Sequence, residues 1–455
     1  MNGPRTRGPR TRREHDMSQA KPRLLKGFRD YLPDVELTRR DMLDRVTQVF
    51  EGFGFGPLQT PAIEYADVLL GKYGEEGEKL LYRFPDNGGR DVALRYDLTV
   101  PLARIVALYG DIPKPFRRYQ VAPVWRAEKP GRGRFREFMQ CDIDIIGEDS
   151  IRADAECMIV GLAVLRALEV EGVVMRVNNR RILDGMLDAV GLTEREDRFA
   201  VMRAIDKLPK IGRDGVSAEI REAVSLDEAG LATLFAVLET KIAAAGDLEA
   251  LRPILGDSED GARGIAELTE LLGVLDAAGV LTQVEVDLSI ARGLDYYTST
   301  IYETFLVGHE EYGSVMSGGR YDTLLGMFLK RSLPAVGISL GVDRLLAALL
   351  ELELITPRKT AADVFVALFD ADGYAEHVKL ARAMREHGLR SELSLSPGKL
   401  GKQFKLAERK GYRYVMLAGP DERAAGVVNI KDLATGEQTQ LAVAEVAEWA
   451  PRFAL

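Results

Sequence analysis

The sequence predicts an α+β protein with more than one domain, and three observations support this prediction. At 455 residues the chain is longer than one typical hydrophobic core. Residues 135–145 alternate between apolar and polar side chains, as a strand does when one face lies in a core. Residues 193–280 have helical spacing, and residues 362–455 alternate strands with helices. We therefore expect an antiparallel sheet flanked by helices, then a helical segment, then a compact C-terminal α/β domain.

The N-terminal part predicts a tail, a helix and an edge strand. Residues 1–20 are basic and lack an apolar stretch, so we expect a disordered tail and no secretory signal, with Met17 as an alternative start. Residues 36–50 have helical spacing, and residues 57–64 predict a strand that Pro61 interrupts. Proline is tolerated in strands at edges and bulges, so this strand fits either a subunit contact or a plain edge in a monomer.

Two alternating segments carry candidate ligand-binding residues. Residues 94–100 alternate, which places Asp97 and Thr99 on one face where they could hold the same cation. In residues 135–145 the polar face is the unusual one, because it carries Arg136, Gln140, Asp142 and Asp144. The preceding loop combines glycine and proline with several cations. This arrangement predicts a floor for a small ligand with phosphate at one end and nitrogen at the other; a solvated sheet face with a basic turn is the alternative.

The segment after residue 280 predicts two strands around a turn at Arg292, a glycine-rich strand at 317–321 and a helix at 341–352. Arg344 falls in the first turn of that helix. A cation there opposes the helix dipole at a cost of about 0.3–1 kcal/mol, so we expect an anionic partner. A ligand phosphate or a nearby carboxylate could fill that role.

A linker at 354–361 leads to the C-terminal domain. Its last predicted elements are a hairpin around residues 432–439 and a helix that ends at Trp449. One helix and its exit are strongly basic, which fits an RNA-facing surface or a plain solvated face. The cations are Lys399, Lys402, Lys405, Arg409, Lys410 and Arg413.

Composition narrows the function classes. The formal net charge of −9 argues against nucleic-acid binding by the whole surface, although local basic patches remain possible. Apolar runs are too short for a membrane span, which needs roughly 18 residues. Cys141 and Cys157 lack metal-ligand spacing, so we expect a reducing cytoplasm, and we interpret Cys141 as a small buried hydrophobe. The chain has neither a G-x-x-x-x-G-K-[ST] nor an H-E-x-x-H motif.

Five ordered segments resemble a known family. The segment Arg126, Glu128 and GRFREF through Gln140 and Asp144 resembles motif 2 of class II aminoacyl-tRNA synthetases, in the form found in the histidyl-tRNA synthetase family. LRYDLTVPLAR at 94–104 and ARGLDYYTSTIYE at 291–303 are similar to segments of that family in particular. SGGRYD at 317–322 and GISLGVDRL at 337–345 follow in the expected order, and the latter resembles motif 3.

The resemblance implies a domain organisation. A class II synthetase core would occupy residues 21–192 and 281–353, with a helical insertion domain at 193–280 and an anticodon-binding domain at 362–455. The helix, strand and proline near residues 36–64 resemble motif 1, which implies a homodimer. The implied activity is activation of L-histidine with ATP, followed by transfer of histidine to histidine tRNA.

The resemblance also implies roles for individual residues. Arg126 and Arg292 would act at the α-phosphate as catalytic residues, and no protein base is needed because the nucleophile is the substrate carboxylate. Magnesium would travel on the phosphates of ATP, with no protein metal site. The ATP-binding residues would be Arg126, Glu128, Arg134 and Arg344. The histidine-binding residues would be Asp97, Thr99, Gln140, Asp144, Arg292, Tyr297 and Tyr321.

One departure and one alternative accompany the resemblance. Many bacterial members carry glutamate where Asp97 and Asp144 stand here, so the acidic pocket follows the eukaryote-like variant. The alternative is a non-catalytic, histidine-sensing paralogue, the regulatory subunit of ATP phosphoribosyltransferase. Such paralogues lose the phosphate-binding arginines and the C-terminal domain, whereas this chain retains Arg126, Arg134, Arg292 and Arg344.

Overall fold

The computed structural model describes residues 21–71, 77–291, 296–329 and 332–449. The predicted tail at 1–20 and the predicted turn at Arg292 lie outside these residues. The strands are β1 Gly56–Pro57, β2 Ile63–Tyr65, β3 Arg83–Pro85, β4 Asp91–Leu94, β5 Phe116–Trp125, β6 Glu137–Ile146, β7 Val173–Asn179, β8 Val284–Val286, β9 Thr300–Leu306, β10 Met316–Arg320, β11 Ala335–Gly341, β12 Val364–Val366, β13 Ser391–Leu393, β14 Tyr414–Leu417, β15 Val427–Asp432 and β16 Gln438–Ala442.

The α-helices alternate with these strands in the first and last parts of the chain and follow one another directly between β7 and β8. They are Pro33–Gly52, Ala66–Leu69, Thr99–Leu108, Ile151–Ala167, Arg180–Ala189, Arg195–Ile205, Leu208–Ala223, Glu228–Leu238, Arg252–Leu255, Glu259–Ala277, Val342–Glu351, Tyr374–Glu386, Leu400–Lys410, Pro420–Ala425 and Val446–Trp449. Within the described part, no helix combines the length and the apolar character that crossing a membrane requires.

An eight-stranded sheet, in the order β1-β5-β6-β11-β10-β9-β7-β8, forms the centre of the molecule. The pairs from β5 through to β7 are all antiparallel, and only the outer pairs β1–β5 and β7–β8 are parallel. The predicted antiparallel sheet is therefore confirmed. The predicted Pro61-containing strand is split into β1 and β2, and β1 lies at the sheet edge as proline in this segment requires.

Alternation along β6 separates a core face from a polar face. Cys141, Ile143 and Ile145 are at most 1% exposed and lie in the main hydrophobic core. Helix Ile151–Ala167 covers that face of the sheet, and its N-terminus is capped by the Ser150 hydroxyl, which accepts a hydrogen bond from the Arg152 N–H at 3.2 Å. The polar face of β6 is left for the candidate site.

The expectation that residues 94–100 form a continuous alternating strand is wrong. Strand β4 ends at Leu94, and a helix begins at Thr99. Asp97 is the physical reason, because its Oδ1 accepts hydrogen bonds from the backbone N–H groups of Thr99 at 3.2 Å and Val100 at 3.0 Å. A carboxylate that satisfies the free N–H groups at a helix start favours the helix over a strand.

The remaining predicted regions follow the sequence closely. The segment between β7 and β8 is helical, as its spacing predicts. The C-terminal part forms a five-stranded mixed sheet in the order β13-β12-β14-β15-β16, with the predicted hairpin between β15 and β16. The short helix Pro420–Ala425 was not expected; proline at its start and Gly426 at φ +67° after its end account for it.

Candidate active site

A cationic cleft of about 620 Å³ opens where the loop between β5 and β6 meets β10, β11 and the start of helix Val342–Glu351. Strand β6 forms its floor and continues from it into a buried acidic group. The cleft is lined by Arg126, Glu128, Gly133, Arg134, Phe135, Phe138, Gln140, Ser314, Val315, Met316, Ser317, Ser339, Gly341 and Arg344.

Arg126 is held at the floor of this cleft by contacts that leave its charge available. Its Nε donates to the carbonyl oxygen of Tyr96 at 3.1 Å. Its guanidinium carbon lies 4.4 Å from the ring centre of Tyr96 and 5.2 Å from that of Phe138. Among the described residues, no carboxylate lies within ion-pair distance of Arg126. The aromatic rings fix the plane of the guanidinium, and its positive charge remains for a ligand.

Arg134 and Arg344 bring two further positive charges to the cleft. Arg344 donates from Nη1 to the carbonyl oxygen of Ser314 and from Nε to that of Gly133 at 3.4 Å. Burial, and then repulsion by Arg134 and Arg126, lower the pKa of Arg344. Glu128 is the one carboxylate among the described lining residues, and it lies 3.8 Å from Arg134. The described part of the cleft therefore carries an excess of positive charge that an anion would neutralise.

A buried ion pair positions Arg344. Asp343, which precedes it, accepts from Arg39 Nε at 2.6 Å and from the Met139 backbone N–H at 2.6 Å. These bonds tie helix Val342–Glu351 to helix Pro33–Gly52 and to β6. The anionic partner expected for Arg344 is absent from the described residues within ion-pair distance, because Asp343 points to Arg39 instead.

At the other end of β6, Asp144 is 3% exposed. Its Oδ2 lies 2.5 Å from Nη2 of Arg118, and its Oδ1 accepts a hydrogen bond from the Tyr321 hydroxyl. Arg118 is 0% exposed and faces Asp144 directly across the β5–β6 pair. Burial raises the pKa of Asp144, while Arg118 and then Tyr321 oppose the rise. On the opposite side, Gly337 leaves the space that Asp144 occupies, because a Cβ there would come within 2.2 Å of Asp144 Oδ1.

Asp97, Asp142 and Tyr297 complete the acidic group. Burial is the first cause that raises the pKa of Tyr297, and the carboxylates of Asp144, Asp142 and Asp97 follow in that order. Asp97 and Asp142 are 2% and 3% exposed. The three carboxylates and the phenol therefore share one buried region.

Gln140 joins the two regions, because it lines the cleft and lies on the same face of β6 as Asp142 and Asp144. Its Nε2 donates to the Ser339 hydroxyl at 2.7 Å, and its Oε1 has no hydrogen-bond partner within the described chain. A ligand lying along β6 would meet the arginines first and the acids second.

The structure groups the predicted residues as follows. Arg126, Glu128, Arg134, Arg344 and Gln140 line the cleft. The residues Asp97, Thr99, Asp144, Tyr297 and Tyr321 surround the acidic end, with Thr99 now at a helix start. Arg292 lies outside the described residues.

Sequence reasoning missed Arg118 as a partner of Asp144, and it missed the bond between Arg39 and Asp343. Arg118 was detectable in principle. Once residues 124–147 are interpreted as a hairpin centred near Gly131, counting back along β5 places Arg118 opposite Asp144. The Arg39–Asp343 bond joins residues 304 positions apart and carries no local pattern.

The basic surface of the C-terminal domain is exposed, as predicted. The side chains of Lys399, Lys402, Lys405 and Arg409 are exposed. Lys410 pairs with Glu392 at 2.7 Å, and Arg413 with Asp432 at 3.4 Å. In the ranges that the structure covers, there is no group of three or more His, Cys, Asp or Glu side chains arranged to hold a metal ion.

The antiparallel sheet, the arginine-lined cleft on its hairpin and the separate C-terminal mixed sheet define a class II aminoacyl-tRNA synthetase fold. Residues 27–345 match the family model described as histidyl-tRNA synthetase, and residues 363–452 match the model described as anticodon binding domain. The chain belongs to the histidyl-tRNA synthetase family.

The similarity to known proteins extends over nearly the whole chain. The chain is 44% identical to a histidine–tRNA ligase of Rhodopirellula baltica, over 92% of this chain and 95% of that protein. It is 42% identical to a histidine–tRNA ligase of Wolinella succinogenes, over 92% of this chain and 95% of that protein. The crystal structure of histidyl-tRNA synthetase from Nostoc sp. PCC 7120 matches with a TM-score of 0.86 at 33% identity, covering 94% of this chain and 99% of that one.

Proposed function

We propose that this protein is a histidine–tRNA ligase that activates L-histidine with ATP and then transfers it to the 3′ end of histidine tRNA. The observation that carries the proposal is the placement of opposite charges along β6. Among the described residues, three arginines and one carboxylate line the cleft, and three buried acids lie beyond it, with Asp144 paired to the buried Arg118. Such a surface fits a triphosphate at one end and an amino acid cation at the other.

In the first step, a carboxylate oxygen of histidine attacks the α-phosphorus of ATP, and the bond to the departing pyrophosphate breaks. The carboxylate is already ionised, so the protein supplies position and charge stabilisation and no base. Arg126 binds the α-phosphate, and Arg134 and Arg344 bind the outer phosphates with Glu128 beside them. Arg292 is proposed from family resemblance to act on the other side of the α-phosphate.

The acidic end recognises histidine. Asp97, Thr99 and Gln140 hold the α-ammonium, while Asp144 and Tyr297 bind the imidazole nitrogens and Tyr321 shapes the pocket through its bond to Asp144. Buried acceptors of this kind strongly reject analogues that lack the matching donor. In the second step, a ribose hydroxyl of the tRNA end attacks the carbonyl carbon, and AMP leaves.

Mg²⁺ enters on the phosphates of ATP, because Mg²⁺ keeps much of its water and binds substrate phosphates with few protein ligands. Glu128, a carboxylate in the described cleft lining, would be the protein residue that contacts this Mg²⁺. The cationic excess of the cleft fits a metal that arrives with the nucleotide.

The core at 21–192 and 281–353, the helical insertion at 193–280 and the anticodon-binding domain at 362–455 are proposed as the functional units. The exposed basic residues around Lys402 and Lys405 would face the tRNA. We also propose a homodimer, supported by apolar side chains on the outer face of the β2–β4–β3 sheet, where Ile63, Tyr65 and Phe84 are 47%, 54% and 39% exposed. The proposed location is the cytoplasm.

Retention of the cleft arginines argues against the regulatory paralogue, since a histidine sensor has no use for three guanidinium groups around a triphosphate site.

Histidine-dependent exchange of radiolabelled pyrophosphate into ATP tests the proposal on the full chain. We expect exchange with histidine and background rates with each of the other amino acids or with histidine omitted. Absence of exchange, together with measurable histidine binding, would favour the sensor instead.

A further inference from the structure

Asp142 occupies a position in the acidic group to which no role has been given. It lies between Gln140 and Asp144 on the ligand-facing side of β6, about 7 Å from each along the strand. It is 3% exposed, and its Oδ1 has no hydrogen-bond partner among the described residues. Leaving a buried carboxylate oxygen without a donor is costly, which indicates that a ligand supplies the donor.

The described protein neighbours of Asp142 leave its Oδ1 without a donor. Across the β5–β6 pair it faces Gln120, whose Nε2 is committed to the Thr60 hydroxyl at 3.0 Å. Across the β6–β11 pair it faces Ser339, whose hydroxyl accepts from Gln140 Nε2 at 2.7 Å and bonds the Asp142 carboxylate, while Asp142 Oδ1 stays without a partner among the described residues. Arg118 uses Nη2 for Asp144 and the Leu98 carbonyl, and its charge acts on Asp142 without a hydrogen bond to Asp142 Oδ1. Asp142 Oδ1 therefore remains without a donor among the described residues, next to Gln140 and Ser339, which line the cleft.

Asp142 lies close to two of the residues proposed to hold the α-ammonium. The charge of Asp97 raises the pKa of Asp142, and Ser339 bonds both Asp142 and Gln140. Arg95 also interacts with Asp142, while its Nη1 and Nε donate to the carbonyls of Thr60 and Pro123.

We propose that Asp142 is a further histidine-binding residue, whose carboxylate accepts a hydrogen bond from the α-ammonium group of the substrate. This inference rests on the proposed function. It also makes histidine affinity depend on pH through a group of the protein. Burial, the largest cause, and repulsion by Asp144 and Asp97 raise the pKa of Asp142 to about 7, against the opposing effects of Arg118 and Ser339. A cation binds the ionised form, so the affinity for histidine falls below that pH.

The test compares the full-length protein with Asp142→Asn, an isosteric change. Two inhibition constants are measured in ATP–pyrophosphate exchange or by calorimetry: one for histidinol, which carries the ammonium and the ring, and one for imidazolepropionate, which lacks the ammonium. We expect Asp142→Asn to raise the inhibition constant of histidinol roughly 10–100-fold at pH 8.5, and that of imidazolepropionate less than about threefold.

The pH profile provides the second readout. In the unsubstituted protein the KM for histidine should rise about tenfold per pH unit below 7, beyond the titration of the ligand itself. In Asp142→Asn that additional dependence should vanish, so the difference between the two proteins narrows towards pH 6. Asp149→Asn, an exposed carboxylate just beyond the end of β6, is the matched control and should behave as the unsubstituted protein.

Equal weakening of both inhibitors, or identical pH profiles in the two proteins, would overturn the inference. The KM for ATP and the melting temperature identify a folding defect: an unchanged ATP KM with altered histidinol binding supports the assignment. If the unsubstituted protein shows no histidine-dependent exchange at all, the proposed function itself fails, which is a distinguishable outcome.

Discussion

The two ends of the β6 site carry opposite charge and differ in how the protein supports it. At the cleft, Arg134 lies 3.8 Å from Glu128 and is 51% exposed, whereas Arg126 and Arg344 have no carboxylate of the described residues within ion-pair distance. At the acidic end, Asp144 and its partner Arg118 are almost completely buried, with their charged atoms 2.5 Å apart.

This difference separates the free energy of folding from the free energy of ligand binding. The cleft arginines repel one another, so removing one costs the fold little and costs the reaction much. The acidic end contains a buried ion pair, and removing one partner takes the nearest opposite charge from the other. Each substitution below tests that separation.

The largest effect is expected for Asp144→Asn. Losing the acceptor for the imidazole should lower kcat/KM for histidine on the order of 10⁴-fold, measured by pyrophosphate exchange. It should also lower the free energy of unfolding, because Arg118 remains charged and buried and loses its nearest carboxylate, although Asp142 still offsets part of its charge. Adding Arg118→Met should restore much of the stability and none of the activity. Recovery of activity in the double variant would show that Asp144 matters only for folding.

Arg126→Ala should lower kcat for exchange by roughly 10²–10³-fold, because a preorganised positive charge at the reacting phosphate is lost. The melting temperature should stay within a few degrees of that of the unsubstituted protein, since Arg126 forms no ion pair with a described residue. A collapse in stability with little change in kcat would contradict the contrast between the two ends.

Arg134 and Arg344, the two arginines proposed to bind the outer phosphates, should contribute unequally to kcat/KM for ATP. Arg344 is fixed by two carbonyls and by the Asp343–Arg39 pair, whereas Arg134 lies half exposed in a loop. Arg344→Gln should therefore reduce kcat/KM for ATP several-fold more than Arg134→Gln. Steady-state kinetics in ATP decide the order, and a larger effect at Arg134 would be the contrary result.

Stability should also depend on pH through the acidic end. Burial raises the pKa of Asp142 from its usual 3.8 to about 7, so the folded state binds more protons than the unfolded state between these pH values. Stability should fall as pH rises from about 4 to about 7 and then level off. Asp142→Asn should remove this part of the pH dependence. At pH 8 the free energy of unfolding of the variant should exceed that of the unsubstituted protein by on the order of 1–4 kcal/mol. Chemical denaturation at several pH values measures it; parallel profiles for the two proteins would be inconsistent with this account.

The smallest effect is expected far from β6. Lys402→Ala with Lys405→Ala should raise the KM for tRNA a few-fold and flatten its salt dependence, as expected when phosphate contacts are lost. Pyrophosphate exchange, which needs no tRNA, is the internal control. A drop in exchange equal to the drop in charging would place the defect in the core.

The sequence was informative wherever a local pattern encodes a contact. Period-two alternation placed Gln140 and Asp144 on one face, and a cation in the first turn of a helix identified Arg344. Alternation misled at residues 94–100, because Asp97 starts a helix by binding its free N–H groups. Arg118 needed the register of a long hairpin, and the bond from Arg39 to Asp343 depends on packing between distant elements. Such partners are set by tertiary structure and leave no periodic trace.

A crystal structure of the full chain with histidinol and ATP tests the central claim most directly. The account predicts the triphosphate among Arg126, Arg134 and Arg344, with the amine and the ring of histidinol in hydrogen-bond contact, roughly 2.7–3.2 Å, with the acids of β6. A nucleotide bound elsewhere, or histidinol bound without contact to Asp142 and Asp144, would contradict it.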